Sequence, residues 1–125
     1  MPREALAAAG FRETGRFPYS DNFEGLGVPV QFSDEGPLAE AVARAETFWL
    51  GDVELRVITA LDLLRAKVRA AAEPRRRKRK ALQYLADIEA ILDRHPALEE
   101  ALAAEERDQL RDLPAAVAAR PPQRD

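Results

Sequence analysis

The spacing of apolar residues divides this chain into a first half of short elements and a second half of longer, helical ones. Pro2 to Ala9 are mostly strong helix formers and Gly10 sits where a helix would stop, so the chain opens on a short helix. Phe11 to Phe17 alternates loosely, as a strand does. Pro18 to Gly27 gathers Pro, Ser, Asp, Asn and Gly, which predicts a loop. Val28, Val30 and Phe32 then share one face by the period of two. Pro29, on the other face, cannot donate a ladder hydrogen bond, so this strand is an edge strand or is bulged there. Ser33 to Gly36 is turn-like, and Pro37 suits the first residue of a helix reaching about Ala45.

Thr47 to Leu50 and Val53 to Ile58 are rich in β-branched and aromatic residues, and Gly51 and Asp52 between them predict a hairpin. Its alternation turns Val53, Leu55 and Val57 toward a core, and Phe48 and Trp49 are expected there too. Thr59 followed by Asp62 is the acidic variant of a capping box, and Leu61, Leu64, Val68 and Ala71 recur at helical spacing. A helix over Ala60 to Ala72 follows. Pro74 interrupts it, and Leu82, Leu85, Ile88 and Leu92 stripe a second helix from roughly Arg77 to Arg94. His95 and Pro96 end that helix, His95 serving its terminal carbonyls. Pro96 opens a further helical segment, Ala97 to Leu113. Residues 1–113 thus read as one α+β domain: a small antiparallel or mixed sheet followed by a helical C-terminal half. From Pro114 to Asp125 the chain is expected to be a flexible tail.

Composition narrows the functional classes. The chain has 125 residues, a formal charge of −3 and a pI near 5.3, so any nucleic-acid contact must be local. It has no cysteine and one histidine, His95, which excludes disulfides, thiolate chemistry and multi-histidine metal sites. No apolar run is long enough to span a bilayer and no secretory signal opens the chain, so the expected location is cytoplasmic. Gly-x-Ser-x-Gly elbows and Gly-rich phosphate loops are absent.

The conspicuous charge feature is the run Arg75, Arg76, Arg77, Lys78, Arg79, Lys80. Guanidinium groups grip phosphate oxygens bidentately, so the run reads either as a site for a nucleotide or RNA or as a solvated loop and first helical turn. It falls at a helix N-terminus, where cations oppose the macrodipole, and stability alone would not select it. No aromatic residue is interleaved with it for base stacking. The carboxylates Asp21, Glu24, Asp34, Glu35, Asp62, Asp87 and Glu89 show no Asp-x-Asp spacing on a strand end, and structural roles account for them better than metal binding does, Asp87 excepted.

Three blocks in series carry a family resemblance: GVPVQFSDEG, AVARAETFWLGDVELRVITALDLLRAKVRA and KALQYLADIEAILDRHPAL. Together they resemble the C-terminal part of the minimal nucleotidyltransferase-like proteins, the superfamily that includes nucleotidyltransferase toxins of bacterial toxin–antitoxin pairs. The resemblance runs from about Gly10 to Leu98. It is strongest at Val57 to Val68, where a strand enters a helix bearing Lys67, and at the LADIEAIL stretch from Leu85 to Leu92. It implies metal-dependent transfer of a nucleoside monophosphate from a nucleoside triphosphate. That activity needs a Gly-Ser turn, an Asp-x-Asp pair for Mg2+ and a third carboxylate on a later strand. The first two would precede Met1, and the third falls on Pro29, which has no oxygen to give a metal. A Lys-Asp pair common in the family is here Gln83 and Tyr84. Lys67 and Asp87 remain.

These readings combine into a truncated nucleotidyltransferase-like protein, catalytically incompetent alone, with no catalytic or metal-binding residues and no resident cofactor. Its candidate phosphate- or nucleotide-binding residues are Lys67, Arg76, Arg77, Arg79, Lys80 and Asp87. Two alternatives stay open. One is an active nucleotidyltransferase, using Mg2+ and a nucleoside triphosphate, when another chain supplies the missing motifs. The other is an interaction module that binds RNA or an acidic partner through Arg75 to Lys80. Missing strands would uncover sheet edge or apolar surface, so a homodimer or a bound partner protein is expected.

Overall fold

A computed structural model describes residues 3–17, 20–33 and 36–122. The chain divides into two compact units, residues 1–43 and 44–125. The first holds α1 (Arg3–Ala8), β1 (Arg12–Phe17), β2 (Ser20–Gly25), β3 (Val28–Ser33) and α2 (Gly36–Ala43). Gly10, at φ +92, ends α1 as the sequence predicts: its N–H reaches the Ala7 carbonyl at 3.1 Å and that of Phe11 reaches Leu6 at 2.8 Å.

The three strands form an antiparallel sheet in the order β1-β2-β3. Strand β2 runs through most of the stretch whose composition predicts a loop. Its residues are poor strand formers, but it is the central strand with a ladder on each side, and pairing overrides propensity. Asp21, Phe23 and Gly25 of β2 stand opposite Phe32, Val30 and Val28 of β3, so the buried positions share one face. Phe23 and Phe32 meet edge to face, centroids 5.8 Å apart. Asp21 is buried and takes an ion pair from Arg3 of α1. A Cβ on Gly25 would lie 2.7 Å from the Phe11 ring, so only glycine fits there. Pro29 lies on outer strand β3, opposite Glu24 in an unbroken register, which satisfies the edge-strand expectation; the bulge is in β1, between Glu13 and Gly15.

The second unit holds β4 (Glu46–Leu50), β5 (Val53–Val57), α3 (Ala60–Ala72), α4 (Lys78–Arg94), α5 (Leu98–Ala101) and α6 (Ala104–Ala118). Thr59 caps α3 as expected, its hydroxyl accepting from the Asp62 N–H at 3.1 Å. The core lies among the helices: Leu64, Val68 and Ala71 of α3, Ala81 and Ile88 of α4, and Leu102, Leu113 and Val117. The hairpin does not join it. Phe48, Trp49, Val53, Leu55 and Val57 are all exposed, contrary to their expected place inside. The register does put Phe48, Leu50, Val53, Leu55 and Val57 on one face, but among the described residues this sheet has two strands and the helices bury each other.

The segment from Ala97 to Leu113 is not one helix. Leu102 and Ala103 take extended backbone between α5 and α6. Helix α6 then continues through Pro114 to Ala118, where composition predicts a flexible tail, and Val117 is fully buried. The fold is α+β, with antiparallel sheets of three and two strands and a helical C-terminal half. No helix among the described residues is long and apolar enough to cross a membrane.

Candidate phosphate-binding site

Pro74 has no N–H to continue α3, and α4 begins four residues later with Arg77 at its N-cap and no side-chain cap. The basic run therefore sits at this junction, at the wrong end of the α4 dipole. Its neighbours explain that placement. The Arg76 Nε donates to the Ala70 carbonyl at 3.2 Å, and Arg120 donates to Ala71 at 2.8 Å and to the Arg76 carbonyl at 3.4 Å. The Lys78 ammonium donates to the Ala118 carbonyl at 3.0 Å. Ala70 and Ala71 lie in the last turn of α3 and Ala118 ends α6, so these cations meet the negative ends of two helices. His95 serves α4 through its backbone, donating to the Ile91 carbonyl at 2.9 Å.

Four of the six sequence candidates converge. Lys67 of α3 donates to the Asp87 carboxylate of α4 at 2.8 Å, and both side chains are partly exposed. Lys67, Arg76 and Lys80 all lie near the Tyr84 ring, at 5.1, 5.5 and 5.3 Å from its centroid. The aromatic residue missing from the basic run in sequence is thus supplied one helical turn later. Sequence reasoning passed over Tyr84, although Lys80–Tyr84 and Tyr84–Asp87 have the spacing that brings helical side chains together. Arg120 had no such signal.

Arg77 and Arg79 line an open concavity of about 1070 Å³ together with the rest of the basic run. Among the described residues that line it, Glu73 is the one carboxylate. In the rest of this unit two arginines are held by carboxylates in paired hydrogen bonds. Arg44 holds Asp62 in two hydrogen bonds of 2.7 and 3.0 Å, and Arg65 holds Glu106 in two of 2.8 and 3.2 Å. The Arg44 guanidinium, assisted by the Thr59 hydroxyl, keeps the buried Asp62 carboxyl below its ordinary pKa despite desolvation. Arg65, with the Ala103 N–H, does the same for Glu106. Among the described residues lining the concavity, six cations stand with one carboxylate, which raises the local potential of a chain that is acidic as a whole.

Among the described residues no three acidic or histidine side chains converge as a cation would require. Pro29, the position of the third carboxylate in the resemblance, is in the other unit. No family model, curated protein or solved structure matches the chain.

Proposed function

We infer that the protein is a non-catalytic phosphate-binding module of nucleotidyltransferase-like ancestry, which holds a nucleotide or RNA at the α3–α4 junction. The observation that carries this reading is the concentration of Arg75 to Lys80 around one concavity whose described lining holds one carboxylate, Glu73. Arg76 and Lys78 also donate to carbonyls at helix ends, so Arg75, Arg79 and Lys80 are the principal phosphate contacts. Guanidinium groups contribute paired donors to phosphate oxygens there, and Lys80 beside Tyr84 adds a point charge next to a ring. Lys67 and Asp87 join α3 to α4 next to Tyr84.

Binding of a fluorescein-labelled single-stranded RNA, with ATP as competitor, tests the reading. Three phosphate contacts would make RNA affinity fall roughly twenty-fold between about 50 and about 200 mM salt. Charge reversal in R75E/R79E should abolish binding while leaving the circular dichroism spectrum unchanged. Salt-independent binding, or undiminished binding by that variant, would overturn the reading. Incubation with Mg2+ and a labelled nucleoside triphosphate should transfer no label to RNA or protein; label transfer would show an enzyme instead.

A further inference from the structure

A two-stranded hairpin is at best marginally stable alone, and β4–β5 has no third strand beside it among the described residues. Its outer strand β5 reads Val53, Glu54, Leu55, Arg56, Val57. The pattern is symmetric in its apolar positions about Leu55 and opposite in charge on the two sides of it. We propose that β5 is a self-pairing edge, through which two copies of this chain associate antiparallel about a two-fold axis at Leu55.

The backbone supports this strand in that orientation. Gly51, at φ +63, occupies the first central position of a two-residue turn, where a type II′ turn takes glycine. The flanking pair, Leu50 with Val53, exchanges hydrogen bonds, and bonded pairs alternate from there along the register Leu50–Val53, Phe48–Leu55, Glu46–Val57. Val53, Leu55 and Val57 therefore direct their N–H and C=O groups toward β4. Glu54 and Arg56 direct theirs to the outer side. An antiparallel copy must bring even-numbered positions opposite even-numbered positions to use those groups.

Three close registers meet that condition. Centred on Glu54 the pairing sets Glu54 against Glu54, and centred on Arg56 it sets Arg56 against Arg56; like charges directly opposite are unfavourable. Centred on Leu55 it sets Glu54 against Arg56 twice, Val53 against Val57 twice, and Leu55 against itself. The charged pairs lie on one face and the apolar ones on the other. Charge selects a single register, and the product is a four-stranded sheet. Arg56 also donates to the Ala45 carbonyl at 3.2 Å. A five-residue edge falls short of the roughly 1,000 Å² that a stable interface clears, so the dimer is weak and concentration-dependent.

Sedimentation of the full chain from low micromolar to about 0.5 mM is expected to show reversible dimerisation in the upper part of that range, as suits an interface of this size. Glu54→Arg places Arg against Arg, and Arg56→Glu places Glu against Glu, so each variant alone is expected to lose association by about ten-fold or more. Mixed in equal amounts, the two variants set a strand with two arginines against a strand with two glutamates. Opposite charges then meet at both positions, and the mixture should dimerise again. Recovery on mixing also excludes misfolding as the cause of the single losses. A wild type that stays monomeric throughout, a dimer indifferent to either charge reversal, or a mixture that stays monomeric would each overturn the proposal.

Discussion

Single residues carry some of the clearest physical tension in this chain. Leu26 takes φ +55 in the β2–β3 turn, with Gly27 at φ +76 beside it, because a two-residue hairpin of this hand needs left-handed backbone at both positions. Leucine adopts that conformation at a cost and is 86% exposed, so its side chain returns little. Leu26→Asn is therefore expected to stabilise the protein by about 1 kcal/mol, measured by urea unfolding; an unchanged or lower midpoint would contradict the turn assignment. Asp62 gives a prediction of the other sign. Its folded pKa is depressed, so its contribution is present above the ordinary carboxylate range and fades as pH falls through the folded value. Asp62→Asn should lower stability at pH 7 and narrow the stability difference between pH 7 and pH 3. An equal difference in wild type and variant would show that the Arg44 pair does not govern the acid limb. Asp62 was legible as a capping residue, whereas its ion pair with Arg44, eighteen positions away, was not. Gly25 was equally silent, since the need for glycine comes from the Phe11 ring folding over it.

Elements were legible in proportion to how far local signals decide them. Helix α3 runs from Ala60 to Ala72 as read, because the Thr59 cap and the apolar stripe are local facts. Strand β2 was misread because its pairing partners, not its own residues, make it a strand. The hairpin was legible in position and register, and its burial was not: alternation shows which residues share a face but says nothing about what covers it. Helix α6 was misread at both ends. At its start, Glu106 accepts from the Ala103 N–H at 3.0 Å, which is half of a capping box; the alanine methyl cannot accept in return. Ala103→Ser supplies the missing acceptor and should raise stability by about 1 kcal/mol, read from thermal or urea unfolding. No gain would mean that the Glu106 bond, already shared with Arg65, holds the helix start by itself. At its other end, α6 persists through Pro114, which costs the Leu110 carbonyl its helical partner. The helix continues because Val117 one turn later is drawn into the core.

At the scale of the whole chain, the C-terminal segment links packing to the candidate site. An alanine, arginine and proline composition gave no reason to expect order after Pro114, yet Val117 is fully buried and Arg120 ties the α3 end to the basic run through the Ala71 and Arg76 carbonyls. Lys78 reaches the last carbonyl of α6 from the other side. The site residues were thus largely legible as charge, but the frame that holds them was not. That frame depends on contacts forty or more residues apart. Ending the chain after Leu113 removes one buried valine, worth about 2 kcal/mol of burial, and the two Arg120 hydrogen bonds, worth roughly 1.5–3 kcal/mol each as bonds from a charged donor. The shortened chain should unfold at distinctly lower urea than the full one. Arg120→Ala separates the two contributions: it leaves Val117 in place, so it should cost less than the truncation, yet it frees the Arg76 carbonyl and loosens the α3–α4 junction. Its RNA affinity should therefore fall with the basic run intact and most of the stability retained. If the truncated chain unfolds at the same urea concentration as the full one, the segment beyond Leu113 is a tail after all, and the junction holds its shape without it.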